Sequence, residues 1–174
     1  MYASDAFCKV VLLLSDHSVA GEVNLKDWRL SDLMNETRDS VVVLRNATLA
    51  RLNDPSKVLS RDSSTVLPKT KIVIAFELNS AAAGTKRLYG YQKKRKYPVV
   101  MTTESMEVRG FLHATSEIDL RVLAGGQSDR FVPVTNAVVT LCENDQSVIE
   151  QDVVLVSVHH IEYFSLGNPT PNEG

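Results

Sequence analysis

The chain has 174 residues, of which 44% are apolar and 23% charged, and its formal net charge is -2. Such a composition belongs to a folded protein long enough for one or two compact cores, and it excludes a disordered, collagen-like or coiled-coil chain. The strongest apolar run, residues 10–14, is far shorter than the roughly 20 residues that cross a bilayer. Its flank resembles no cleaved signal peptide, so a soluble cytoplasmic protein without membrane insertion is expected. The two cysteines, Cys8 and Cys142, allow one bridge at most and are expected to be free and mostly buried.

The small net charge hides an uneven distribution. Residues 1–78 hold ten acids and ten bases, residues 79–97 hold six bases and no acid, and residues 98–174 hold eleven acids and three bases. The three segments therefore carry 0, +6 and -8, which sum to -2.

In chain order, the sequence reads as one unit written twice. Val10 and Val11 match Val99 and Val100, Val19 matches Val108, and Gly21 matches Gly110. After one inserted residue, Leu30 matches Leu120, Leu33 matches Leu123, Asp39 matches Asp129, Val42 matches Val132, and Asn46-Ala47 matches Asn136-Ala137. A two-residue difference in the next loop brings Phe76 onto Phe164 and Leu78 onto Leu166. Each copy opens with an apolar run (residues 10–14 and 99–101), a polar break and a second strand through Gly21 or Gly110, which is a hairpin pattern.

One short helix follows in each copy. Leu30, Leu33 and Met34 in the first, and Leu120, Leu123 and Ala124 in the second, take the i, i+3, i+4 spacing of one apolar face. Asp27 is expected to cap the first helix, and Ser116 with Asp119 to form a capping box on the second. Asn35 and Gly125 stand where a left-handed residue ends a helix. Strands are then expected at residues 41–44 and 49–52, and at 131–134 and 138–142, with Pro133 placing the second copy's strand at an edge or at its start. After a polar loop, each copy closes on a strand, at 71–78 and at 153–164, the latter long enough to be a bent strand or two.

The expected fold is therefore mainly β with one short helix per repeat: two tandem small β-barrel or sandwich units related by internal duplication. The first repeat spans residues 7–78, a basic Tyr-containing linker or hairpin 79–97, and the second repeat 98–166, with 167–174 a flexible tail. Each unit is near the size at which a lone core is marginal, so the two are expected to pack together.

Residues 21–52 carry Gly21, then Arg29-Leu30-Ser31-Asp32-Leu33-Met34-Asn35, then Val41-Val42-Val43-Leu44 and Asn46-Ala47, and the pattern closes on Leu67-Pro68-Lys69-Thr70-Lys71-Ile72. This resembles a family of small bacterial domains of unknown function with a Gly, Arg-Leu-Ser-Asp-x-Leu-Asn and Thr/Asn-x-Ala pattern that closes on a Leu-Pro/Asn-Lys-x-x-Ile strand. The resemblance implies a fold and no particular chemistry. The second copy keeps Phe131-Val132-Pro133-Val134-Thr135-Asn136-Ala137 but has Ile118-Asp119-Leu120-Arg121-Val122-Leu123 in place of the Arg-Leu-Ser-Asp core.

No catalytic set stands out locally. Asp16-x-Ser18-x-x-Gly21 matches half of the cyclic-dinucleotide signature of PilZ domains, but no arginine precedes Arg29 to supply the other half, so a turn that needs Asp, Ser and Gly explains it. His159 and His160, if both lie in a strand, point to opposite faces and cannot chelate one ion. No metal site, cofactor or enzymatic activity is expected; a small enzyme is a third class, behind binding or assembly and nucleic-acid binding, and would need a deep pocket with convergent polar groups. Arg29 and Asp32, spaced for an i, i+3 pair, and Asn35 are read as a structural motif, and Trp28 as a lid on the core.

The strongest anomaly is the stretch containing Lys86, Arg87, Lys93, Lys94, Arg95 and Lys96 with Tyr89, Tyr91 and Tyr97. Cations that neutralise phosphate beside rings on which bases stack suit single-stranded RNA or DNA. The plain alternative is a solvated linker, and a third is that this segment lies against the acidic second half. Because the second copy keeps the apolar positions but not Arg29 and Asp32, shape is what is shared. A noncatalytic binding or assembly module with a protein partner or self-association is the first expectation, and nucleic-acid binding through residues 86–97 the second.

Overall fold

A computed structural model of the chain describes residues 7–78, 94–125 and 131–170. The first half consists of β1 (Phe7–Leu13), β2 (His17–Asn24), α1 (Leu30–Asn35), β3 (Val41–Arg51), β4 (Val58–Pro68), a 3-10 turn (Lys69–Lys71) and β5 (Ile74–Glu77). The second half consists of β6 (Arg95–Thr102), β7 (Met106–Ala114), α2 (Leu120–Ala124), β8 (Phe131–Leu141), β9 (Asn144–Ser157), a 3-10 turn (Val158–His160) and β10 (Tyr163–Leu166). All ten strands join one open antiparallel sheet in the order β10-β6-β7-β8-β9-β5-β1-β2-β3-β4. The first half therefore runs 5-1-2-3-4 and the second 10-6-7-8-9.

The expected pairs of short strands at 41–44 and 49–52, and at 131–134 and 138–142, are each one bent strand. The bend is a bulge. Along β2 and β3 the pairing passes from Ala20 with Thr48 to Glu22 with Arg45, and along β7 and β8 from Arg109 with Val138 to Phe111 with Thr135. In both cases two steps on one strand oppose three on the other, which inserts a residue and bends the sheet. Asn46 and Asn136 supply the positive backbone angle this requires, at φ 49° and 47°, a conformation asparagine tolerates better than most residues.

Gly21 and Gly110 face these bulges at close range. A Cβ on Gly21 would lie 3.1 Å from the Arg45 carbonyl oxygen, and one on Gly110 2.6 Å from Val134 Cγ1 and 2.7 Å from the Thr135 carbonyl oxygen. The shared Gly and Asn-Ala positions are thus two sides of one backbone device.

Pro133 lies inside β8 opposite Leu155 of β9, whereas the pairing of β7 with β8 ends at Thr135. The proline sits where β8 is paired on one side only, which removes the conflict with its missing N–H. The closing segments are interrupted by 3-10 turns: residues 71–78 hold the end of one turn followed by β5, and residues 153–164 are two strands, the end of β9 and the start of β10, with His159 and His160 in the turn between them. Register also corrects the sequence match at the end of each half. Val11 faces Phe76 and Val100 faces Ser165, so Phe164 corresponds to Ala75 and Ser165 to Phe76.

The helix ends differ from expectation as well. The residue preceding α1 is Arg29, not Asp27, and Asp119 alone caps α2 by accepting from the Arg121 N–H at 2.8 Å. Neither helix ends on a left-handed residue, since the terminal Glu36 has φ -62° and Gly125 has φ -82°. The last carbonyls of α1 are met by a buried lysine instead: Lys69 Nζ donates to Leu33 O at 2.6 Å and to Glu36 O at 2.8 Å. A cation suits that end of a helix, where unpaired carbonyls gather.

The two halves are continuous through β5 and β9, where Ile74 pairs with Val156, Ala75 with Leu155, and the Ser157 N–H donates to Val73 O at 2.8 Å. Alternation sends Ile74 and Phe76 into the apolar cluster built mainly from the second half, with Val154 and Val156, while Ala75 and Leu155 enter the cluster of the first half. Both faces of the junction are therefore buried, and each half completes the other's core. Among the described residues no helix is long and apolar enough to cross a membrane.

Candidate binding surfaces

The basic aromatic segment divides at the start of β6. Lys86, Arg87, Tyr89, Tyr91 and Lys93 lie outside the described residues. Lys94 and Arg95 are exposed. Period-two alternation then separates the next two residues: Lys96 lies on the outer face with Nζ 4.0 Å from the centre of the Phe111 ring, whereas Tyr97 is only 5% exposed. The Tyr97 hydroxyl donates to Ser116 O at 3.4 Å, and its ring belongs to the second core. A buried ring offers no face to a base, so Tyr97 is a core residue.

The Arg29, Asp32 and Asn35 motif has two separate roles. Asp32 Oδ2 accepts from the backbone N–H of Arg29 at 3.0 Å, which ties down a free donor at the first turn; the expected ion pair between the two side chains does not form. Asn35 reaches across to the other half. Its Nδ2 donates to Phe131 O at 3.0 Å and its Oδ1 accepts from Phe131 N–H at 2.8 Å. The side-chain amide thereby satisfies both backbone groups of a residue that is 1% exposed. The aligned residue of the second half, Gly125, has no side chain to do this.

A cleft of about 720 Å³ opens beside the β5–β9 junction, with Arg29, Glu77, Lys94, His113, Thr135 and Leu155 among its lining residues. The Thr135 hydroxyl lies 3.3 Å from Phe111 O and 2.8 Å from His113 Nε2. The hydroxyl and the imidazole share a hydrogen bond whose direction follows the ring's tautomer. Partial desolvation, then the Lys96 and Lys94 ammonium groups, hold the His113 imidazole below its ordinary value of 6.5. At neutral pH the ring is uncharged, and the positive charge of the cleft comes from Arg29 and Lys94.

The remaining titratable groups are scattered. Among the described residues no three His, Cys, Asp or Glu side chains gather as a metal site. His160 Nε2 lies 2.9 Å from Thr70 O, a tie between the two halves. Both cysteines are free, but Cys142 is exposed, contrary to the expectation of burial, and Cys8 is partly buried. Burial, then Glu77, pushes the Cys8 thiol up to about 11, which suppresses the thiolate that would make it reactive. Trp28 is 47% exposed and borders a shallow groove with Val41 and Arg45, so it is a poor lid.

The polar loops expected before the closing segments are strands, the first part of β9 in the second half and, in the first half, β4. Its sequence, VLSRDSSTVLP, is largely polar and was expected as a loop, yet it pairs with β3 over nearly its whole length as the last strand of the sheet. Val66 opposite Val43 is 59% exposed and Val43 55%, with Val58 and Leu59 also exposed. The opposite edge is β10, where Tyr163 is 58% exposed. Among the described residues neither β4 nor the short β10 pairs with a further strand on its outer side, and such edges with exposed apolar side chains are templates for adding another strand. The only signal in the sequence is the Thr65-Val66-Leu67 run, since edge strands need no apolar alternation. Comparison with protein-family models, curated proteins and solved structures returns no match.

Proposed function

We propose that this chain is a noncatalytic, cytoplasmic assembly module built from two copies of one β unit, acting through protein–protein contacts at its sheet edges. The observation that carries this reading is the exposed β4 edge with its Val43–Val66 pair. The matching strand order of the halves and the matching bulges at Asn46 and Asn136 support the duplication. Resemblance of residues 21–72 to small bacterial domains of unknown function agrees with a unit whose shared property is shape. The halves already meet edge to edge at β5 and β9, so this unit's strands are suited to such pairing.

A photoreactive amino acid at Val66 tests the module in cells, with the equally exposed Val122 of α2 as control. Expected is a defined adduct at position 66, identified by mass spectrometry, which a neighbouring Thr65→Pro change removes. Adducts no more frequent at 66 than at 122 would refute an edge-binding role.

A second reading, single-stranded RNA binding, draws on the exposed Lys94 and Arg95 and on Arg29 sharing the junction cleft with Lys94. Fluorescence anisotropy at low salt decides it: binding that disappears when residues 93–96 become Gln supports it, and unchanged or absent binding removes it.

A further inference from the structure

The strand order contains one junction and two ends, and the ends are the junction's own components. Each half presents the same sequence of strands, with 5 and 4 at the outside of the first and 10 and 9 at the outside of the second. Inside the chain, the 5-type edge of one half meets the 9-type edge of the other. Among the described residues, the two edges that no further strand joins, β10 and β4, are the corresponding pair. From this we infer that β10 of one molecule pairs antiparallel with β4 of a second copy, repeating the internal junction between molecules. The inference rests on the edge-binding reading above and names its partner.

The register of the contact follows from the internal one. In β9, Leu155 pairs with Pro133 on one side and Ala75 on the other. In β4, Val66 pairs with Val43, the position matching Pro133, so Val66 stands where Leu155 stands. In β10, Phe164 stands where Ala75 stands, and Tyr163 where Ile74 stands. Leu155 and Ile74 are 4% and 0% exposed because the other half covers them, whereas Val66 and Tyr163 are 59% and 58% exposed. The largest apolar exposure on each edge thus falls at a position that the internal junction buries.

The outer contact is also built to be weaker. Where Ser157 donates its N–H to Val73 O, β4 has Pro68, which has no N–H to give. Where Asn35 holds Phe131, the second half has Gly125. Where Ile74 and Phe76 enter the neighbouring core, β10 offers Tyr163 and Ser165. Association is therefore weaker than the internal joint, whose two sides belong to one chain. Because the two edges differ, the contact is head to tail, and repeating it yields a closed ring or an open filament, not a two-fold dimer.

Sedimentation velocity and native mass spectrometry of the purified full chain over a wide concentration series test this. The wild type is expected as concentration-dependent multiples of 19.2 kDa. Val66→Glu blocks one edge and Tyr163→Glu the other, each at an exposed site, so each variant is expected to be a folded monomer. Their equimolar mixture still holds one intact edge of each kind and is expected to give a heterodimer and nothing larger, while the two blocked ends repel. A wild type that stays monomeric, variants that still oligomerise, or a mixture that forms no heterodimer each overturns the inference. Should a glutamate variant lose its thermal transition, Val66→Lys with Tyr163→Lys makes the same like-charged pair. A monomeric wild type together with a Val66 adduct to a different protein leaves the edge-binding module standing and removes only self-assembly; a Val66 adduct no more frequent than the control removes both.

Discussion

Replacing Asn35 by Ala measures how firmly the two halves are held. The substitution removes two hydrogen bonds, of 3.0 and 2.8 Å, and leaves the N–H and C=O of the buried Phe131 unpaired. At about 1 kcal/mol net for each bond, plus part of the desolvation cost of the two orphaned groups, the loss should be about 3 kcal/mol. In a chain of this size that lowers the melting temperature by about 6–12 °C. Urea unfolding should show a lower midpoint at unchanged slope, since the folded surface is the same. Asn35→Asp separates the two bonds. The carboxylate still accepts from Phe131 N–H but faces Phe131 O with no proton to donate. Protonation restores the donor, so the introduced carboxyl has a raised folded pKa; its stabilising contribution is complete below the unfolded value and lost as pH rises through the folded one. Asn35→Asp should therefore approach wild-type stability in mild acid while Asn35→Ala does not. A loss below about 0.5 kcal/mol for Asn35→Ala, or parallel pH profiles for the two variants, would refute a clamping role.

Gly110→Ala should destabilise the fold by about 1–3 kcal/mol, and by more than Gly21→Ala, because the added methyl at 110 meets Val134 and the Thr135 carbonyl more closely than anything at 21; thermal melts that rank them the other way would contradict the bulge geometry. His113 should titrate below 6.5 by NMR, and Lys94→Gln or Lys96→Gln should raise it. Because its folded value is depressed, its contribution to stability is present above the unfolded value and declines as pH falls below it; a His113 titration at or above 6.5 contradicts this. Iodoacetamide at mildly alkaline pH should label the exposed Cys142 well before Cys8, whose thiol is held near 11; equal labelling rates in the folded protein would overturn that assignment.

Local chemistry was legible in the sequence wherever a backbone conformation demands a particular residue. Gly21, Gly110, Asn46 and Asn136 were visible as a repeated pattern because a tight approach and a positive φ admit few alternatives. The apolar faces of Leu30 with Met34 and the hairpins at the start of each half were visible for the same reason: burial leaves a periodic signature. β4 was not legible, since an edge strand is held by backbone bonds to one neighbour and places little demand on its side chains. The role of Asn35 was hidden too, because its partner Phe131 is remote in the chain, and only the pairing of β5 with β9 brings the two halves together. That pairing also decided that both faces of β5 are covered and that, among the described residues, β4 and β10 are left as the edges, while alternation along β6 turns Tyr97 inward beside Lys96. Sequence alone marked the glycine and asparagine positions and the short helices through local conformational limits; the order in which the two halves join depends on contacts between distant strands, whose backbone groups are the same in every residue and leave no mark on the letters.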